Sequence, residues 1–268
     1  MTTRWIDLDF GALNSATKYP SIPTYHALGE RGRLTPDVQV DFGDEPVVVT
    51  EKINGTSGRI ITLPDGDWFI GSREELLTAR GDRVPNTGLR IVEALCRLAE
   101  NLGHAAWERG GASVGVYFLE VYGHGTTRSS ASRQYAAGTQ VGCRLFDLAV
   151  VDRRWLDEPR EKIAAARERV DGTLQEYADE SDLVRLELEI ARVPVLSGTP
   201  ASPPCGVAET YEWLGQFRTS LAALSPRGAG RRSEGVVVRT RDRSKIAKIR
   251  FEDYERTLGA RDGGQRDG

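Results

Sequence analysis

The sequence predicts an α+β fold built on an antiparallel sheet. Three observations predict it: runs with strand character outnumber helical ones, most of them are joined as hairpins, and no Walker or dinucleotide glycine fingerprint marks a parallel nucleotide-binding sheet. The first hairpin is read in VVVTEKINGTSGRIITL, the turn Pro64-Asp65-Gly66 and DWFIGS, where β-branched runs flank a tripeptide suited to a tight turn. Ile91, Leu95, Leu98 and Leu102 then form one stripe at helical period. Residues 113–123 and 141–151 are β-branched and aromatic and read as two long strands.

Residues 157–180, rich in Ala, Glu and Arg, read as a solvated helix, and LVRLELEIARVPVL as a return to strand. The prolines of TPASPPCG (199–206) require a loop before a helix over 207–224. EGVVVRT and SKIAKIRF are read as two closing strands. One domain is expected over residues 1–258, with 259–268 as a disordered tail.

Composition excludes several function classes. With 268 residues the chain buries enough surface to fold without disulfides or a structural metal. Nothing approaches the roughly 20 apolar residues that span a bilayer, and acidic residues stand where a signal peptide needs an apolar core. No membrane partner and a cytoplasmic location are therefore expected. Cys96, Cys143 and Cys205, without C-x-x-C spacing, read as reduced thiols, and His26, His104 and His124 make no metal-ligand pattern.

A formal charge of −3 hides a local asymmetry: nine basic residues and two acids lie between Arg227 and Arg250. Such a stripe suits a polyphosphate or nucleic acid backbone, or else is a solvated basic face. Lys52 is the other candidate. It ends an apolar strand in Glu51-Lys52-Ile53-Asn54-Gly55-Thr56, where an ammonium is costly to bury, and a neutral amine can attack phosphorus. Neighbouring cations with partial burial would favour the neutral form, and Lys248 and Arg250 are the cations expected nearby.

EKINGTSGRI resembles the nucleotidyl-lysine motif K-x-(D/H/N)-G of covalent nucleotidyltransferases, the polynucleotide ligases and mRNA capping enzymes. GSRE around Arg73, FLEVYG around Glu120, LFDLAV around Phe146, SEGVVVRT around Glu234 and AKIR with Lys248 and Arg250 follow in the order of that superfamily. The glutamate before the lysine, the Gly-Thr after it and RVPVLSG at 192–198 look most like ATP-dependent RNA ligases, in the branch of the second phage type and the kinetoplastid editing enzymes.

The resemblance implies an antiparallel-sheet nucleotidyltransferase domain, an ATP-grasp-like adenylation domain with an ATP cleft between sheets and no OB-fold. It implies joining of RNA 5′-phosphate and 3′-hydroxyl ends through lysyl-AMP and an adenylylated 5′ end. DNA ends and a partner protein that supplies end recognition are allowed. Alternatives are an adenylyl- or guanylyltransferase or DNA ligase using the same lysine step, and a non-catalytic nucleic-acid-binding relative.

The resemblance also assigns roles. Lys52 would take AMP, Glu51 read adenine, Phe146 stack on it and Glu120 bind the ribose hydroxyls. Arg73 would contact phosphate or sugar, and Arg59 would contact nucleotide or cover the sheet. Lys248 and Arg250 would grip the α-phosphate, and Glu234 would bind Mg²⁺, or Mn²⁺, through water. Asn54 and Gly55 complete the motif. Asn54 replaces a frequent Asp, and Ser57 a frequent Asn, which leaves the rate of lysine adenylylation open.

Overall fold

The computed structural model describes residues 8–80, 90–109, 113–127, 135, 138–167, 169, 174–187, 190–196, 202–225 and 230–263. They group into two compact units, residues 1–20 with 55–192, and residues 21–54 with 193–268. Both lie largely within the span read from sequence as one domain.

The first unit is a six-stranded sheet in the order β6-β5-β4-β7-β8-β9. Its strands are β4 (Thr56–Thr62), β5 (Trp68–Ser72), β6 (Leu76–Ala79), β7 (Ser113–Gly123), β8 (Val141–Asp152) and β9 (Gln175–Tyr177), and their ladders are antiparallel. The β4–β5 hairpin turns at the predicted tripeptide, with Gly66 at φ 88°. Helix α2 (Ile91–Arg109) lays Ile91, Leu95 and Leu102 against Ile60, Ile70, Leu119 and Val121 on one sheet face. Helices α1 (Phe10–Ala16) and α3 (Arg160–Arg167) cover the other face over Ile61, Val116, Phe118 and Ala149. Asp9 caps α1 by accepting from the backbone N–H groups of Gly11 and Ala12.

The second unit holds a three-stranded antiparallel sheet in the order β11-β10-β3, from β3 (Val47–Lys52), β10 (Gly235–Thr240) and β11 (Ile246–Arg250). Val49, Val236, Val238, Ala247 and Ile249 face a core closed by α5 (Val207–Gly215), α6 (Phe251–Gly263) and the hairpin of β1 (His26–Leu28) and β2 (Leu34–Val38). Both sheet edges are covered, which blunts their pairing potential. Lys248 N–H donates to Pro23 O at 2.9 Å on one edge, and Glu51 N–H donates to Pro194 O at 2.9 Å on the other.

Several sequence expectations are corrected. Strand β3 does not continue into the sheet of β4, because the chain leaves it at Ile53-Asn54 and β3 pairs with β10, nearly two hundred residues later. The helix expected over 157–180 is α3, with residues 175–177 in edge strand β9. The strand expected from Leu183 begins instead as helix α4 (Glu180–Leu186), since Asp179 caps it by accepting from Asp182 N–H and Leu183 is buried beneath it. The helix expected to reach 224 ends at Gly215, and Thr219 bridges to Arg232. Helix α6 runs to Gly263, five residues into the expected tail, and 264–268 lie outside the described residues. Among the described residues no helix is long and apolar enough to cross a membrane.

Candidate active site

In the second unit, strand alternation sorts the motif residues by face. Gly235 on β10 pairs with Lys52 on one side and Arg250 on the other, while Val237 pairs with Thr50 and Lys248. Lys52, Lys248 and Arg250 therefore share the face opposite the apolar core. The Cα atoms of Lys52 and Arg250 are two strand spacings apart, about 10 Å.

Lys52 Nζ donates to Glu234 Oε2 at 2.8 Å, with both side chains about three-quarters buried. The amine thus has a carboxylate as hydrogen-bond partner, and the expected cations are carried by β11, beyond β10. Arg250 is oriented by Asp253, to which its Nε and Nη2 donate at 2.8 and 2.9 Å. Partial burial pulls the Arg250 pKa down, but the bond to Asp253 and the charges of Asp253 and Glu234 outweigh it, so the net shift is upward.

Gly235 makes this row possible. Its φ is +157°, and a Cβ there would lie 2.1 Å from Ile249 O and 2.8 Å from the Arg250 Cα. Any side chain would push β11 away from β10. Phe251 N–H also donates to Glu234 O at 3.1 Å, tying the start of α6 to the residue that pairs with Lys52.

Glu51, expected from the resemblance to read adenine, lies on the other face of β3. Adjacent strand residues point to opposite faces, and Glu51 is 2% exposed on the core face, away from Lys52. Its carboxylate accepts from Ser220 Oγ at 2.5 Å and from Leu221 N–H at 2.7 Å, so it fastens the 217–221 segment behind the sheet. Asn54 is half-buried just past the strand.

The basic stripe is divided by the fold. Arg239 is buried, and Arg241, Arg243 and Lys245 sit at the β10–β11 turn, where Lys245 pairs with Glu45. That turn lies five residues along β10 from Gly235, about 17 Å away. Arg227 lies outside the described residues.

In the first unit, Ser57, Glu120 and Arg144 pair across β4, β7 and β8. Glu120 is half-buried beside Gly55, where a Cβ would lie 3.0 Å from Glu120 Oε1 and 2.4 Å from Val121 O, so only glycine permits the approach. Phe146 is the extra residue of a β-bulge, since Phe118 pairs with Asp147 and Leu119 with Leu145. Bulges re-aim side chains. The Phe146 ring is half-buried and meets the Tyr19 ring edge-on, with centroids 5.1 Å apart.

Arg59, for which a nucleotide contact and a sheet-covering role were both open, is a buried brace in this structure. It is 1% exposed, and it donates from Nη1 to Arg73 O at 3.1 Å and from Nη2 to Asn14 Oδ1. Burial lowers its pKa to about 10; the charge of Glu74 opposes this and that of Arg167 adds to it, both less strongly. Arg73 itself projects into solvent, its guanidinium 3.7 Å from Glu74. Arg59 thus holds the backbone from which Arg73 extends.

The RNA ligase sequence profile matches residues 45–250, more than three-quarters of the chain and every motif above. The chain belongs to the RNA ligase family. No curated protein matches this family member significantly. Solved structures of Naegleria gruberi RNA ligase share its fold at low identity. One variant with ATP and Mn aligns with a TM-score of 0.53 and 15% identity over 94% of this chain and 64% of that one. A complex with PPi aligns at 0.51 and 16% identity over 90% and 64%. A further variant with AMP and Mn aligns at 0.51 and 15% identity over 88% and 62%. The chain thus spans less than two-thirds of the length of these ligases.

The sequence of this RNA ligase family member did not single out Gly235, Asp253, Ser220 or Tyr19. A glycine inside an otherwise β-branched strand marks a close backbone approach, so Gly235 carried a usable signal. Arg250 and Asp253 stand three residues apart across a strand–helix junction, and Tyr19 reaches Phe146 only through the fold.

Proposed function

We propose that this family member is an ATP-dependent RNA ligase, joining a 5′-phosphate to a 3′-hydroxyl through an AMP-bearing lysine and an adenylylated 5′ end. The observation that carries it is the Lys52–Glu234 pair at 2.8 Å on a sheet face shared with Lys248 and Arg250. One nucleophile, one carboxylate and two cations on one face make a poor core but a suitable phosphate site.

In the free protein the Lys52 amine is held by Glu234. Attack on the α-phosphorus requires that amine to leave the hydrogen bond and lose a proton; the new N–P bond then forms as the bond to pyrophosphate breaks. Lys248 and Arg250 neutralise the non-bridging oxygens, and Asp253 keeps Arg250 aimed while this happens. AMP passes next to the RNA 5′-phosphate oxygen, regenerating the amine, and the 3′-hydroxyl finally displaces AMP.

The donor set fits a hard divalent ion. Among the described residues no cluster of three metal-binding side chains occurs, and Glu234 supplies an oxygen beside the phosphate-binding cations, the arrangement Mg²⁺ or Mn²⁺ takes when phosphates complete its shell. Such an ion would offset charge on the leaving pyrophosphate. In the other unit we assign the ribose hydroxyls to Glu120, base stacking to Phe146, and a phosphate or sugar contact to Arg73.

Incubation with α-labelled ATP or GTP and a divalent ion tests the first step, expected to label wild type with ATP and not Lys52→Ala. Adding 5′-phosphorylated RNA or DNA, with and without a complementary splint, tests sealing. Labelled protein that joins no strand would remove the ligase reading.

A further inference from the structure

We propose that Arg218 and Arg232, mounted on the Phe251 ring, form a phosphodiester-binding platform that grips the RNA backbone beside the adenylylation residues; this rests on the ligase reading above. The two guanidinium carbons lie 5.1 and 4.6 Å from the centroid of the same ring. Phe251 is 2% exposed and belongs to the core of this unit, so the ring on which the two cations rest is fixed.

Two like charges on one ring repel, and the local compensation is thin. Glu255 accepts from Arg232 Nη2 and is shared with the Tyr211 hydroxyl, which donates to it at 3.0 Å. Arg218 Nη2 donates to the Tyr211 oxygen at 3.4 Å. Arg231, also exposed, adds a third positive charge, and among the described residues neither Arg218 nor Arg231 has a carboxylate partner.

A fold has little reason to gather such charge on an open surface unless an anion completes it. Guanidinium groups present planar donor forks that match phosphate oxygens, and cation–π seating holds those planes in place. The platform is joined to the Lys52 row through the chain. The ribbon carrying both arginines, in which Ser233 N–H donates to Arg218 O and Ser220 N–H to Arg231 O, leads directly into Glu234. Phe251 follows Arg250. The platform lies on the helix-covered side that Glu51 faces, so a strand whose 5′-phosphate lies at Lys52 and Arg250 would pass the sheet end at Glu234 and Phe251 to bring its neighbouring phosphates to it. Because the contacts are to backbone charge, the grip is indifferent to base sequence.

The test uses the full chain and a 5′-phosphorylated single-stranded RNA. Its affinity is titrated against salt for wild type, Arg218→Gln/Arg232→Gln, the corresponding double Lys variant and Glu255→Gln, beside lysyl-AMP formation and thermal melting. Each lost phosphate contact lowers the log–log salt slope by about 0.7, so the double Gln variant is expected to lose about 1.4, equivalent to roughly 25-fold weaker binding at 0.1 M salt. Lysyl-AMP formation should be unchanged, the double Lys variant should keep most of the slope, and Glu255→Gln, which frees Arg232, should bind several-fold tighter.

An unchanged slope in the double Gln variant overturns the proposal. So does an equal loss in the double Lys variant, or a parallel fall in lysyl-AMP formation, either of which would make the arginines structural. A wild type that never forms lysyl-AMP overturns the ligase reading instead, while the salt slopes still judge the platform.

Discussion

Replacing Gly235 by Ala tests the geometry that sets Lys52 and Arg250 in one row. The added Cβ would sit 2.1 Å from Ile249 O and 2.8 Å from the Arg250 Cα, both backbone atoms that no rotamer change can move. A tolerable carbon–oxygen contact is about 3.3 Å, so β11 must recede by about 1 Å. Ladder hydrogen bonds near 2.9 Å would stretch beyond useful length around that point. The expected destabilisation is about 1–3 kcal/mol, the usual range for overpacking.

The same movement carries Lys248 and Arg250 about 1 Å from their places relative to Lys52 and Glu234, a misplacement that costs about 100-fold in rate when alignment is the main source of catalysis. Thermal melting and the initial rate of lysyl-AMP formation measure the two effects. Gly235→Ala that melts like wild type and adenylylates at the wild-type rate would refute both the steric reading and the role given to the row.

Lys52→Ala should abolish labelling while changing stability by at most about 1 kcal/mol, because the Glu234 pair remains partly solvated; a labelled variant seen by mass spectrometry would move the nucleophile elsewhere. Glu51→Gln keeps the shape but sets an amide donor against the donors of Ser220 and Leu221, with an expected loss of about 1–3 kcal/mol in denaturant unfolding; wild-type stability would contradict the bracing role. Asp9 is held below the ordinary aspartate range, chiefly by the Ala12 N–H and then by Arg160. Its folded pKa is depressed, so its contribution is present above pH about 4 and declines as pH falls through the lowered value; Asp9→Asn should lose that part of the acid dependence in a pH series of melting curves, and identical series would contradict it.

The RNA ligase family was legible because its motifs are short local runs. The hairpin at Pro64-Gly66, the stripe of α2 and the strands β7, β8, β10 and β11 were legible for the same reason: turn angles and side-chain periods are local properties. Helix α4 was misread because Leu183 and Val184 resemble a strand start unless the Asp179 cap is weighed against them.

What the sequence determined by itself was the RNA ligase family and the run of motifs, from Lys52 to Arg250, that marks it. Tertiary structure alone decided which of them meet. Glu234 reaches Lys52 although 182 positions separate them, Glu51 turns to the core although it is Lys52's neighbour, and Arg59 sinks beneath Arg73. The physical reason is that strand register and pleat assign every side chain to one face or the other, and register is fixed by pairings between distant segments that no local pattern records.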